Sequence, residues 1–147
     1  MTDIAAAIGL VQLERLPMLH QRRQKIAALY SEFLADVPEL RLPSARPDVE
    51  HAWHLYVVRL RPQRLRITRD SLMEILKDKG IGTSVHFIPL HVHSYFRKAL
   101  NLTEEEFPVA SMASETMLSL PLYTLMSDYD VEYVAGTLRR ILRSRRR

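Results

Sequence analysis

Three of the six histidines in this 147-residue chain, His86, His91 and His93, fall within eight positions of one another. They lie in the stretch Gly80-Ile-Gly-Thr-Ser-Val-His-Phe-Ile-Pro-Leu-His-Val-His. Titratable side chains at a strand's exit are a common way to place chemistry on a rigid scaffold. Metal ligation is the first chemistry to weigh, and the spacing speaks against it. His51 and His54 are three apart, which on a strand places them on opposite faces. His91 and His93 share a face, but no HExxH or comparable spacing accompanies them, so no metal site is expected. The chain has no cysteine, which removes thiolate sites and disulfides. There is no GxSxG, no Walker loop and no GxGxxG, and Gly80-Ile-Gly82 is too short to cradle a phosphate. The four lysines, Lys25, Lys77, Lys79 and Lys98, all stand in polar helical surroundings, where none is desolvated into a nucleophile. The residues by themselves therefore assign no catalytic set. A buried strand followed by a surface loop that happens to carry histidine is the other reading.

The elements around that stretch have to position it. Gly80 reads as the residue that ends a helix, where positive φ is inexpensive only for glycine. Thr83 to Ile88 alternates β-formers until Pro89, which has no N–H and turns the chain out of the sheet. In such a strand Val85 and Phe87 face the helices, while Ser84 and His86 face the other way. Upstream, Thr2 or Asp3 caps a helix that begins at once. Ile4 to Val11 is apolar all round, so it needs covering on more than one side. Pro17 kinks or restarts that helix. Ile26, Leu29, Tyr30, Phe33 and Val37 then keep the spacing of one buried face. Residues 2 to 36 make a strut of about 50 Å. Pro38 to Asp48 reads as a connecting loop, and Ala52 to Leu60 as a strand buried on both faces. Thr68 caps a helix running through Lys79. His93 to Leu100 and Pro108 to Met117 are shorter helices, and Leu118-Ser-Leu-Pro-Leu is a strand cut by Pro121. Ser127 with Asp130 is a capping box that opens the last helix.

That order predicts an α+β fold: a small, mainly antiparallel sheet covered by helices, with a long kinked N-terminal helix. Residues 1–36 form a bridging helix and 37–147 a small α+β domain. Hydrophobic residues make up 47% and charged residues 26%, as in ordinary globular domains. No apolar run reaches a membrane span and no signal peptide opens the chain, which makes the cytoplasm the default location. The net charge of +4 is local in origin. Six arginines occupy the last nine residues, and without those nine the chain carries 15 basic and 17 acidic side chains. Such a tail reads as a solvated helix end favoured by the helix dipole. Nucleic acid is not the expected partner, since no aromatic residue interleaves the tail. A second arginine cluster (59, 61, 64, 66 and 69) surrounds a strand end and a loop.

Four blocks carry a resemblance. They are Met1-Thr-Asp-Ile-Ala-Ala-Ala-Ile-Gly-Leu-Val-Gln-Leu-Glu-Arg-Leu, Trp53-His-Leu-Tyr-Val-Val, Lys79-Gly-Ile-Gly-Thr-Ser-Val-His-Phe-Ile-Pro-Leu-His and Ser119-Leu-Pro-Leu-Tyr. The first and third are the specific ones. In this order and over essentially the whole chain, the sequence resembles the C-terminal, small domain of DegT/DnrJ/StrS-type aminotransferases, fold-type-I enzymes that use pyridoxal phosphate (PLP). The resemblance implies a homodimeric transferase acting on nucleotide-linked keto sugars with an amino-acid donor. It also implies that the Schiff-base lysine, the acid partnering the pyridine nitrogen and the phosphate-binding loop lie upstream of this segment. On that reading the N-terminal PLP-binding domain is absent, and the chain alone is inactive and holds no cofactor. By the same analogy His86, His91 and Tyr95 bind substrate, while Thr2 and Asp3 lie beside the cofactor site. The competing reading is a non-catalytic, stand-alone interaction domain that binds protein through the first helix or RNA through the arginine tail.

Overall fold

The computed structural model describes all residues, 1–147. Helix α1 runs over Asp3–Leu34, with the Thr2 hydroxyl accepting the Ala5 N–H at 3.3 Å as its N-cap. It passes through Pro17 without interruption, so this proline does not restart the helix. It leaves only the Leu13 carbonyl without its usual donor. The two halves of α1 live in different environments. Ile26, Ala27, Tyr30 and Leu34 are buried, whereas Ile4, Ile8 and Leu13 are 76%, 60% and 64% exposed. Nothing in the chain covers the apolar sleeve from Ile4 to Met18.

Three short strands follow, β1 (Leu40–Arg41), β2 (Tyr56–Leu60) and β3 (Met117–Leu120), in the spatial order β1-β2-β3 and all antiparallel. The inner face carries Leu40, Tyr56, Val58, Leu60, Leu118 and Leu120. It packs on the second half of α1, on α2 (Arg69–Asp78) and on α5 (Asp128–Ser144). The remaining helices, α3 (Ser94–Ala99) and α4 (Pro108–Thr116), belong to the excursion between Gly80 and β3. Thr68 caps α2, Gly80 takes φ +73° after it, and Ser127 with Asp130 forms the capping box of α5.

Several local expectations are corrected. The strand expected from Ala52 begins only at Tyr56, because Trp53 sits at φ +45°, a left-handed conformation that no strand tolerates. Its backbone N–H donates to His51 Nδ1 at 2.9 Å, and Arg23 donates to the Trp53 carbonyl at 3.3 Å. Only one face of β2 is buried; Val57 and Arg59 on the other are half-covered. The loop after α1 contains β1, whose two residues are too few to leave a periodic signal. Thr83 to Ile88 is not a strand. It makes one bridge, Ser84 to Ser119 on β3, and Phe87 is 76% exposed instead of facing the helices. The arginine tail is the exposed end of α5 as far as Ser144, and beyond it Arg146 pairs with Leu65 as an antiparallel bridge that the sequence does not announce.

Candidate functional site

The Ser84–Ser119 bridge sets the geometry of the histidine stretch. Each N–H donates to the other's carbonyl, at 3.3 and 2.9 Å, so the two serines are directly opposed and their side chains share the outer face of the sheet. His86 folds back onto that face. Its Nδ1 lies 3.0 Å from Ser119 Oγ and 3.3 Å from Ser84 Oγ, and Ser119 is buried. The Nε2 atom has no protein partner. A serine hydroxyl donating to Nδ1 places the neutral ring's proton on Nε2, whereas Nδ1–H donating to a serine leaves Nε2 an acceptor. In both tautomers Nε2 is left without a partner in the chain. Phe87 meets the imidazole edge-on at 5.1 Å, and Ile88 and Leu90 continue an exposed apolar lip. The result is an anchored imidazole with an unpartnered ring nitrogen beside apolar surface, suited to a ligand with both polar groups and a hydrocarbon ring face.

The other sequence-selected residues divide. His91 is only 5% exposed and stacks on Phe107 at 4.8 Å. Its Nε2 is 2.9 Å from Ser111 Oγ, whose own proton goes to the Glu104 carbonyl at 3.2 Å. His91 must then donate to Ser111, which ties the 90–92 turn to α4. His93 Nε2 donates to the Ile88 carbonyl at 3.2 Å and closes the same turn. Tyr95 is 73% exposed with a free hydroxyl, packed edge-on against Phe96 at 5.2 Å. Thr2 caps α1 and Asp3 is its first residue, and no hydrogen bond or ion pair joins them to the His86 group. Ser119 is the partner that sequence reasoning missed. It lies 33 positions from His86, and no local pattern announces their pairing.

No amine in the chain is set up for covalent chemistry. Lys25 is tied to Asp128 at 2.6 Å, while Lys77, Lys79 and Lys98 are exposed on helix ends. No three His, Asp or Glu side chains are grouped to hold a metal ion, and no helix is long and apolar enough to cross a membrane.

Comparison with known proteins returns one family. Residues 1–139 match the DegT/DnrJ/EryC1/StrS aminotransferase family. The chain is 43% identical over 144 residues to the spore coat polysaccharide biosynthesis protein SpsC of Bacillus subtilis, covering 97% of this chain and 37% of SpsC. The structure is similar to the PLP form of Spr1654 from Streptococcus pneumoniae. There the TM-score is 0.88 with 32% identity, over 98% of this chain and 36% of that one. It is also similar to DesI, solved in the presence of its TDP-sugar product, with TM-score 0.83 and 30% identity over 97% of this chain and 36% of that one. The chain thus spans little more than a third of the length of the relatives it matches.

Proposed function

The chain belongs to the DegT/DnrJ/EryC1/StrS aminotransferase family, and on that premise we propose that it is the C-terminal part of a PLP-dependent enzyme that aminates nucleotide-linked keto sugars. The observation that carries the reading is the oriented His86 ring on a segment whose family match is continuous. Its Nδ1 is anchored by Ser84 and Ser119, its ring meets Phe87 edge-on, and its Nε2 has no partner in the chain. In the assembled, homodimeric and cytoplasmic enzyme, His86 donates to a sugar or phosphate oxygen, and Tyr95 offers a second hydroxyl from α3. His91 acts through position, by holding the 88–93 turn on α4. Thr2 and Asp3 start α1 beside the cofactor site. An amino acid serves as donor.

PLP, when bound, supplies the electron sink for amino-group transfer. The residues of this chain do not themselves form a holding set for it. Every lysine is exposed or ion-paired, and no acid is placed to meet a pyridine nitrogen beside His86. The covalent anchor belongs to other residues of the enzyme, and the role of this segment is to shape the substrate side and the subunit contacts.

The test is made in the full-length enzyme with His86→Asn and His86→Ala. Asparagine reaches the Ser119 hydroxyl much as Nδ1 does but has nothing in place of Nε2. We expect His86→Asn to retain PLP content and thermal stability while kcat/KM for the nucleotide sugar falls at least tenfold, with the amino-donor half-reaction unchanged. Unaltered sugar kinetics in His86→Asn would sink the assignment. The stand-alone interaction reading predicts instead that no lysine-bearing partner segment restores any transferase activity.

A further inference from the structure

The two arginine clusters, separate in sequence, are joined in space. The Arg66 N–H donates to the Arg145 carbonyl at 2.9 Å, and the Arg147 N–H donates to the Arg64 carbonyl at 3.1 Å, on either side of the Leu65–Arg146 bridge. Leu65 is buried, and Arg146 turns in to bond the buried carboxylate of Glu39. The flanking residues Arg64, Arg66, Arg145 and Arg147 are all exposed. None of these four has a carboxylate within the 4.0 Å reach of an ion pair; the pairs that do form use other cations. Arg147 gives one N–H to the Leu65 carbonyl at 2.8 Å. Like charges opposed across a ribbon repel one another, and no ion pair to any of these four offsets that here.

We propose that this ribbon is a receptor for a compact, multiply charged phosphate group, such as a di- or triphosphate or a phosphorylated lipid headgroup. The proposal does not rest on the aminotransferase reading. Guanidinium presents a planar fork of donors that matches phosphate oxygens. Side chains facing one another across a ribbon are about 5 Å apart, and alternate ones along it about 7 Å. A condensed phosphate places several negative charges within that span, whereas one carboxylate leaves most of the positive charge unmatched. The ribbon backbone is pinned by its hydrogen bonds and by Arg146 on Glu39, so binding has only the arginine side chains to order. A cavity of about 420 Å³ adjoins it, lined by Arg66, Arg69 and Arg147. The carboxylates nearby are Glu39, held by Arg146, Asp70, held by Arg69, and Glu115, which faces this cavity unpaired. No aromatic residue lines the cavity, so the site lacks the stacking platform of a single-strand nucleic-acid groove.

The experiment is calorimetric titration of the 147-residue chain with sodium tripolyphosphate at constant ionic strength. Flotation with phosphatidic acid vesicles, against phosphatidylcholine vesicles, is run in parallel. One equivalent of tripolyphosphate is expected to bind. Binding should weaken at least tenfold in Arg64→Ala/Arg66→Ala, with circular dichroism unchanged, and stay as it is in Arg15→Ala/Arg97→Ala, exposed arginines elsewhere. Arg145→Gln provides the same reading if the double variant fails to fold. Binding to phosphatidic acid vesicles alone, lost in the same variants, assigns the phosphate to a lipid headgroup. The proposal is overturned by no saturable binding of either probe, by equal loss in the control variant, or by binding of a single-stranded oligonucleotide without tripolyphosphate.

Discussion

Glu39 is 1% exposed, and its carboxylate is bonded by Arg146 from the far end of the chain. Burial by itself would raise its pKa. The hydrogen bonds from Arg146, its own backbone N–H and the charge of Arg146 outweigh that and hold it below the usual carboxylate range. The sign of the pH effect follows from the lowered value. Above the unfolded pKa of about 4.3 both states are ionised and the interaction contributes fully. As pH falls through that value toward the folded one, the unfolded state takes up its proton first and stability is lost. We expect the urea midpoint to drop between about pH 5 and pH 3, and Glu39→Gln to flatten that drop. Arg146→Ala leaves a buried carboxylate without its partner and should cost about 2 kcal/mol at neutral pH. A pH profile identical in wild type and Glu39→Gln would rule the carboxylate out as its source. In the sequence Glu39 falls within Pro38 to Asp48, a stretch that reads as a connecting loop. Its burial comes from β1, and its partner sits 107 positions away.

At the scale of elements, α5 is the helix whose start is legible in the sequence, because its capping box is a local signal. The Ser127 hydroxyl accepts the Asp130 N–H at 3.1 Å, while the Asp130 carboxylate accepts the Ser127 N–H at 2.8 Å. Those bonds lower the Asp130 pKa. Val131, Val134 and Leu138 are buried as their spacing requires. Ser127→Ala should lower stability by about 1 kcal/mol in chemical denaturation, with little change in helix content; a gain or no change would show that Asp128, paired with Arg22 at 2.7 Å, anchors this end unaided. The strand expected over Thr83 to Ile88 failed for the opposite reason. Alternation of β-formers permits a strand but does not supply a partner, and β3 offers a bonding edge only as far as Ser119 and Ser84. Past that bridge His86 turns over the sheet and Phe87 turns outward, so the apolar alternation never meets a core.

The whole molecule leaves an apolar helix half in water. Met1, Ile4, Ile8, Leu10, Val11, Leu13, Leu16 and Met18 are all more than half exposed, while the same helix is buried from Ile26 onward. Patches of this kind drive association when nothing covers them. The isolated chain should therefore sediment as concentration-dependent oligomers, and Ile8→Asp with Leu13→Asp should return a monomer of unchanged fold. A monomer at high concentration in the unsubstituted chain would contradict this.

Periodicity, capping residues and composition by themselves determined that this protein has a long first helix, two further capped helices and a small sheet. They also determined that its first turns could not be satisfied within its own core. These are properties of neighbours in sequence, governed by backbone bonding and by which side of an element is apolar. Tertiary structure alone decided which distant groups meet: Ser119 with His86, Glu39 with Arg146, and one arginine cluster with the other. Closing a long loop adds only weakly to its entropic cost as the loop grows, so such pairings leave no spacing rule in the sequence, and only the packed sheet selects them.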